Sequence, residues 1–502
     1  MKKQMNNNGL YIVFTISVFA FLLLFFTLIN PLCIFDSDDW LYIYDNRIPV
    51  PSIHEWNPTR VFPEFFMPLV SYGGALVLRP LFNISYYFSL TLAHGIFCSL
   101  IITTYIISFC IMMFKKQYAS KKTSVLLGVL FLVLHFIFYI KCGQDNKFLL
   151  HSNNVTCMYF YVLPTVLNFI IVMHFMCYDG IVEFTKKANL IHKLFIVGVI
   201  YFAINSNLYS SIVLSAYVCA NLLLCFKEQI LNKKEKSILV FIKEHYFEVG
   251  IICVWLCSHV FEFVGGRAHS LGGNFFLGLP VSIGFFVYAV IRTNIFVLIF
   301  LGFIFFIWIK KYKAGTFKFD NSKYYSVLIS ILITTIYLIL LSAKVQYAYM
   351  ARADVVIAIM IWILIAGVYC FNQLITENIN YKKFVYILCG TLWLLTINSS
   401  TNILENYNFN NLSYKESKAV TDDIIKQFKD TEKNNKTEID LVLPDFGVEG
   451  NWPMSEAFAN RYGEALYRHK VIDSHITIKN ITLSQEKTKE LIGDKVKDSF
   501  TL

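Results

Sequence analysis

The feature that most limits how this chain can fold is a series of apolar runs that recurs from end to end. About eleven of them approach the roughly 20 residues that an α-helix needs to cross a bilayer. They fall near residues 10–30, 84–114, 124–140, 157–178, 194–206, 208–226, 246–264, 293–310, 324–343, 355–374 and 384–401. Hydrophobic residues make up 56% of the 502 positions and charged residues only 16%, against about 25% charged in a soluble domain. The sequence therefore predicts an all-α polytopic membrane protein.

Two further apolar segments, at 65–82 and 275–291, differ from the others because proline and glycine interrupt them. The first contains Pro68, Gly73, Gly74 and Pro80, and the second contains Pro280. Since these residues weaken or kink a helix, the segments are predicted to be interfacial or re-entrant helices and not full spans.

Lysine placement predicts the orientation of the chain. Lysines cluster in alternate loops, at 115–122, 186–193, 227–243, 310–323 and 382–383. By the positive-inside rule, these loops and the N-terminus are expected to be cytoplasmic. The loops at 31–66, 141–156, 265–276 and 342–354 and the tail after residue 402 then lie outside.

Arginine follows a different pattern from lysine. All eight arginines fall on the predicted outer side, at Arg47, Arg60, Arg79, Arg267, Arg292, Arg352, Arg461 and Arg468. A codon bias toward lysine explains why arginine is rare but not why it is one-sided. Because its planar guanidinium binds phosphate and carboxylate through paired hydrogen bonds, this placement indicates anion contacts on the outer face.

The last hundred residues change character. Residues 402–502 are polar and charged, with helical periodicity near 413–430 and 453–468 and a β-like run over 439–443 that ends at Pro444. A disordered tail is the alternative, but Trp452, Phe458, Tyr462 and Leu466 offer a core to bury. We therefore expect a transmembrane domain over 1–401 and a small α/β domain over 402–502, outside the membrane.

The first outer loop, 31–66, carries the densest candidate chemistry. It opens with the run Phe35-Asp36-Ser37-Asp38-Asp39-Trp40. A carboxylate can take the proton from an acceptor hydroxyl, and Asp38 or Asp39 would suit that role. The other interpretation is a helix cap, since Asp36 is a good N-cap residue and acids favour a helix N-terminus. Asp36 is assigned to the cap, and Asp38 and Asp39 stay unresolved.

Cations and aromatic rings on the same side complete the predicted site. Arg60, Arg267 and Arg352 could meet a phosphate, with His269 in support beside Arg267. Trp40 or Trp56 could stack on a sugar ring. Arg352 has an alternative role as a local ion pair with Asp354. No helical pair has metal-ligand spacing, so no cofactor is predicted and a divalent metal has no support from the sequence.

With these residues placed, the chain resembles the polyprenyl-phosphate-sugar-dependent glycosyltransferases of the GT-C type. Within that type, it more closely resembles the serotype-converting O-antigen glucosyltransferases carried by phages of enteric bacteria. The likeness covers the whole chain in size and layout. Its local matches are Phe35-Asp36-Ser37-Asp38-Asp39-Trp40, Asn57-Pro58-Thr59-Arg60 and Asn451-Trp452-Pro453-Met454-Ser455-Glu456-Ala457-Phe458-Ala459-Asn460-Arg461-Tyr462.

This resemblance implies a reaction and a location. Glucose would move from undecaprenyl phosphate glucose to a lipid-linked O-antigen repeat, on the periplasmic face of the bacterial inner membrane. The N-terminus would be cytoplasmic and the C-terminus periplasmic. The functional partners would be a flippase for the lipid-linked glucose and the polyprenyl-phosphate glucosyltransferase that makes it. No nucleic acid is expected.

Three alternatives stay open at this level. An O-antigen polymerase also has many spans and outer arginines, although its large outer loop usually lies between late spans. A flippase or transporter would place ionisable residues deep in its spans. A lumenal mannosyltransferase is allowed by sequons such as Asn83-Ile84-Ser85.

Overall fold

The structure is a computed structural model. It describes residues 2–139, 148–152, 154–232, 237–265, 272–315, 321–375, 390, 412–447, 449–451 and 454–493. Within these ranges the chain is mainly helical, with a small two-stranded sheet near the C-terminus. The predicted helical polytopic membrane protein is therefore confirmed at this level.

Nine of the described helices are long and apolar enough to cross a membrane. They are Gly9–Ile29, Val61–Phe82, Tyr86–Lys115, Val155–Cys177, Leu208–Leu231, Tyr246–Val264, Ile295–Lys313, Tyr325–Val345 and Ala353–Leu374. Shorter helices lie between them, at Ser37–Tyr42, Lys121–Phe136, Ile181–Lys187, Leu190–Ile204, Ile238–Glu244 and Phe275–Ile291. A 3-10 turn at Tyr347–Ala351 precedes Ala353–Leu374.

The helical body has two chemically distinct ends. Helix Tyr86–Lys115 has 30 residues, which corresponds to about 45 Å. Its first residue, Tyr86, contacts His469 near the C-terminus, and Lys116, just past its last residue, pairs with Asp179. We call the end that holds Tyr86 and His469 the Asp38 end, and the end that holds Lys116 and Asp179 the lysine end. The described arginines all lie at the Asp38 end, as their one-sided placement in the sequence predicts.

Helix Val61–Phe82 does not join the two ends, although its length and composition would allow it. At its start, the amide of Phe62 donates to the carbonyl of Asn205 at the Asp38 end. Near its other end, the Arg79 guanidinium donates to the carbonyl of Lys470, 2.8 Å away, also at the Asp38 end. These two contacts place both ends of the helix at the Asp38 end, so the helix does not cross the body. The interfacial placement of 65–82 stays a prediction, with which these two contacts agree.

Helix Phe275–Ile291 is placed in the same way. Gly278 packs against the carbonyl of Ala343, Phe285 stacks on Tyr347, and Arg292 donates to the carbonyl of Ala351. The partners all lie in one short stretch at the Asp38 end of Tyr325–Val345 and in the turn that follows. This helix therefore also runs along that end of the body.

The remaining long helices connect the two ends in alternation. Asn372, near the end of Ala353–Leu374, donates to the carbonyl of Tyr118 at the lysine end. Tyr414 packs on Tyr87 at the Asp38 end. The sequence predicts a further span at 384–401. That predicted span lies outside the described residues.

The described part of the tail, residues 412–493, which we call the tail domain, is a small α/β unit. Its first helix, Tyr414–Lys433, begins with a capping box in which Ser413 and Glu416 satisfy each other's backbone amides. Strand Glu438–Pro444 pairs in parallel with strand Thr477–Ser484. Helices Asn460–Arg468 and Gln485–Ile492 complete it. The strand predicted at 439–443 and the helix predicted at 413–430 are confirmed, and Trp452 lies outside the described residues.

Candidate functional site

The acidic run of the first loop forms a short helix, Ser37–Tyr42, which we call the acidic helix. Asp36 is its N-cap: one carboxylate oxygen accepts from the amides of Asp38 and Asp39, at 3.0 and 2.9 Å. The other oxygen accepts from the side-chain amide of Asn154. Burial and the neighbouring aspartates raise the pKa of Asp36 well above its usual value. Asp36 therefore has the capping role that its sequence position predicts.

Asp39 is a buried structural acceptor. Its side chain has no exposed surface, and one oxygen accepts from the amide and hydroxyl of Thr156 at 2.8 and 2.7 Å. The other oxygen accepts from the amide of Phe35 at 3.1 Å. Burial raises the pKa of Asp39 to about 6 despite these hydrogen bonds. Because both oxygens are engaged and enclosed, Asp39 is poorly placed to meet a substrate hydroxyl.

Asp38 is the exposed member of the three. About half of its side chain, 49%, is exposed, and it accepts no side-chain hydrogen bond from the part of the chain that the structure describes. Its nearest charged partner is the Arg461 guanidinium of the tail domain, 3.6 Å away. The structure thus separates the two candidates that the sequence leaves unresolved. Asp38 alone can reach a ligand as a base.

Arg60 lies close to the acidic helix with its charge unpaired. Its guanidinium stacks on the ring of Phe160, 4.9 Å from the centroid. It interacts electrostatically with Tyr42 and Glu262, yet it forms no direct ion pair with any described residue. Tyr42, one turn after Asp38, interacts electrostatically with both Asp38 and Arg60. A partly buried guanidinium next to Tyr42 is therefore available to an anionic group.

Arg352 lies near the same tyrosine, Tyr161, as Arg60 does, but its guanidinium is already paired with Asp354. Its guanidinium donates to both oxygens of Asp354, at 3.0 and 2.7 Å, and stacks over Tyr161 at 4.9 Å. This is the local ion pair that the sequence offers as the alternative to phosphate binding. Tyr161 interacts electrostatically with both Arg352 and Arg60, so the fold brings these two arginines to one aromatic ring.

The two tryptophans of the loop have opposite environments. Trp40 is fully buried, with its ring edge-on to Tyr462 of the tail domain at 5.0 Å. The prediction that Trp40 stacks on a sugar is therefore wrong, because Trp40 lies on the side of the acidic helix that packs against the protein interior. Trp56, by contrast, is 54% exposed.

Two predicted site residues, Arg267 and His269, lie outside the described residues. The described residues before them end at Gly265. Gly265 packs closely on Pro58, because a Cβ added there would lie 2.7 Å from the proline ring. Nearby, the hydroxyl of Thr59 donates to the carboxylate of Glu262. The helix that precedes Arg267 is thus joined directly to the first loop.

Arg461 is the site residue that sequence reasoning missed. It donates to the carbonyl of Ser37 at 2.8 Å and stacks on the ring of Phe458 at 3.9 Å. The amide of Ser455 donates to the hydroxyl of Ser37 at 2.9 Å. Arginine on the outer side was the available signal, but nothing in the sequence indicates that the tail reaches the acidic helix.

A cavity of about 430 Å³ opens beside the acidic helix. It is lined by Leu41, Tyr42, Asp45, Arg47, Ile48, Ser52, Glu55, Trp56, Asn57 and Glu64. Arg47 pairs with Glu64 and donates to the carbonyls of Asn57 and Val50, so it holds the loop closed around the cavity. The volume is within the range of small-molecule sites, about 300–1,000 Å³.

Among the described residues, no group of three metal-ligating side chains is close enough to hold a metal ion. Comparisons of the chain with protein-family models, with curated proteins and with solved structures found no match.

Proposed function

We propose that this protein is a glycosyltransferase that moves a sugar, most specifically glucose, from a polyprenyl phosphate to a hydroxyl of a lipid-linked O-antigen repeat. The observation that carries the proposal is the position of Asp38. It is a half-exposed carboxylate whose only described charged partner is Arg461, 3.6 Å away, and the site also holds the partly buried Arg60, which forms no ion pair with any described residue. The acceptor cavity would be the pocket beside Tyr42.

The proposed reaction needs one base and one leaving group. Asp38 takes the proton as the acceptor oxygen forms a bond to the anomeric carbon of the sugar. The bond from that carbon to the phosphate oxygen breaks, and the polyprenyl phosphate leaves with the electron pair. General-base catalysis of this kind contributes about 10²–10⁴-fold to a rate.

Arg60 is the proposed partner of the leaving phosphate. Positive charge near that group is worth most where water is excluded, and the partly buried Arg60 side chain stacks on the ring of Phe160. Arg352 would add to the positive field, although its direct hydrogen bonds go to Asp354. No step in this scheme requires a metal.

A transferase explains the charge distribution better than a flippase does. Carboxylate and guanidinium groups in the described spanning helices lie near helix ends, as do Glu248, Glu262 and Asp354. A flippase or transporter would be expected to carry such groups near the middle of the bilayer. The proposed location is the bacterial inner membrane, with the Asp38 end in the periplasm.

The test replaces Asp38 with Asn and measures transfer of radiolabelled glucose from undecaprenyl phosphate glucose to lipid-linked O-antigen. We expect Asp38→Asn to lower the rate about 10²–10⁴-fold, because the amide cannot accept the proton. Arg60→Gln should lower it about 10²–10³-fold, because it removes the charge that meets the phosphate.

Asp430→Asn is the matched control, because this exposed aspartate pairs only with Lys433 within one helix of the tail domain. It should keep wild-type transfer at equal expression. Wild-type transfer by Asp38→Asn would refute the proposed base. No transfer by the wild-type protein, with any polyprenyl-phosphate sugar as donor, would refute the proposed function.

A further inference from the structure

The cavity beside the acidic helix has a lining that discriminates among sugars by charge. Three of its side chains are carboxylates, Asp45, Glu55 and Glu64, and one is a guanidinium, Arg47. Arg47 and Glu64 neutralise each other in an ion pair. No described cation pairs with Asp45 or Glu55. Because burial raises the pKa of Glu64 to about 7, the lining carries an excess of one to two negative charges at neutral pH.

The same cavity offers a platform for an apolar sugar face. The Trp56 ring is 54% exposed at its wall, and Tyr42 lies on the wall nearest Asp38. A pyranose ring has one face of C–H groups, which packs on an aromatic ring, and an edge of hydroxyls, which donate to carboxylates. The lining therefore matches both chemical features of an uncharged sugar.

We infer that this cavity binds an uncharged sugar unit of the acceptor and rejects sugars that carry a carboxylate. The inference rests on the proposed function, because it treats the cavity as the acceptor side of that reaction. Tyr42 and Asp38 are one helical turn apart, about 5.4 Å along the axis. A sugar on Trp56 would thus direct a hydroxyl past Tyr42 toward the base.

Charge selection follows from the two unpaired acids. A uronic acid would bring a further negative charge beside Asp45 and Glu55. The one guanidinium of the lining, Arg47, is paired with Glu64, and Arg60 is not part of the lining. Juxtaposed like charges are strongly unfavourable at a binding surface, and we expect a penalty of about tenfold or more in affinity. Because Asp45 and Glu55 are exposed, added salt should reduce this penalty.

The test measures binding without donor or turnover, so that its outcome is independent of whether transfer occurs. Purified protein in lipid nanodiscs is titrated with neutral trisaccharides of hexose and 6-deoxyhexose, and with trigalacturonic acid. Saturation-transfer NMR reports which sugars bind and through which protons. We expect at least one neutral trisaccharide to bind, and trigalacturonic acid to bind about tenfold more weakly or not at all.

Variants assign the effect to the cavity. Trp56→Ala should weaken the neutral sugar about tenfold, and Trp56→Phe should retain part of the affinity. The double variant Asp45→Asn/Glu55→Gln should narrow the difference between neutral and acidic sugars. Glu490 is an exposed acid on the last helix of the tail domain, and Glu490→Gln is the control. It should change neither the affinity for the neutral sugar nor the difference in affinity between neutral and acidic sugars.

Two results would overturn the inference: equal binding of neutral and acidic trisaccharides by the wild type, or unchanged binding in Trp56→Ala. Sugar binding with this selectivity but without any transfer would leave the inference standing and refute the proposed reaction instead.

Discussion

At the scale of the residue, three aspartates within four positions have three different environments. Asp36 caps a helix, Asp39 is enclosed by backbone and hydroxyl donors, and Asp38 faces solvent and Arg461. Two of the carboxylates hold the third in place. The acidic run thus supplies both a support and the carboxylate that we propose as the base.

The first prediction concerns the stability contributed by Asp39. Burial raises its pKa from 3.8 to about 6, so the folded state holds this proton more tightly than the unfolded state does. The resulting stabilisation is complete below pH 3.8 and is lost as the pH rises through about 6. The melting temperature of the wild-type protein in detergent should therefore fall between pH 4 and 6, to which buried Asp36 also contributes.

Asp39→Asn should flatten that decline, because it removes one of the titrating groups. It should also destabilise the protein by about 1–3 kcal/mol at pH 7, since the Asn amide would face the Phe35 amide, donor against donor. Thermal unfolding of both proteins across pH 4–7 provides the measurement. An identical slope in the two would contradict the assignment of the titration to Asp39.

At the scale of the element, the acidic helix has only six residues and cannot be stable by itself. It is held from one side by the start of helix Val155–Cys177, through Thr156, and from the other side by the tail domain. The buried Trp40 packs against Tyr462 in the same interface. The position of Asp38 therefore depends on two elements that are distant in sequence.

The second prediction is that loss of the tail contact loosens the acidic helix. In the double variant Ser37→Ala/Arg461→Gln, the Ser455 amide loses its acceptor and the Ser37 carbonyl loses its donor. Hydrogen exchange of residues 37–43 should accelerate, and glucose transfer should fall about 10–100-fold, because a displaced base reacts poorly. The fold of the membrane body should be retained.

Lys433→Ala is the control for this experiment, because Lys433 is exposed and pairs only within its own helix. It should leave both hydrogen exchange at 37–43 and transfer as in the wild type. Unchanged exchange in the double variant would show that the acidic helix does not depend on the tail contact.

At the scale of the whole molecule, the described arginines lie at one end of the body, whereas lysines occur at both ends. The Asp38 end holds the described arginines, the acidic helix, the tail domain and both helices that run along one face. The lysine end holds Lys116 and Asp179 and the loops predicted to be cytoplasmic. A second cavity lies at this lysine end, between Lys116, Tyr118 and Tyr369, far from Asp38.

The third prediction concerns the sides of the membrane. Because Ser455 and Arg461 contact Ser37 directly, the first loop and the tail domain must share one side. Alkaline phosphatase fused after Leu502, or inserted at Asn46, should be active in the periplasm. Alkaline phosphatase inserted at Lys187 should be inactive, and green fluorescent protein inserted at that position should be fluorescent.

Opposite results at Asn46 and Leu502 would contradict the contact between the first loop and the tail domain. If alkaline phosphatase were inactive at both Asn46 and Leu502 and active at Lys187, the predicted orientation would be reversed and the contact would stand.

The sequence alone determined the membrane class, the one-sided placement of the arginines and the strand at 439–443. Each of these is a local property, because spanning length and charge type are read directly along the chain. The acidic run was recognisable for the same reason. Its three members look equivalent in sequence.

Only the tertiary structure decided which aspartate is exposed, that Trp40 is buried and that Arg461 belongs to the site. Ser37 and Arg461, joined by a hydrogen bond, are 424 positions apart, and no local pattern encodes that contact. Burial depends on which distant segments pack together, so Asp38 and Asp39 become different only once Thr156 and the tail domain enclose one side of their helix.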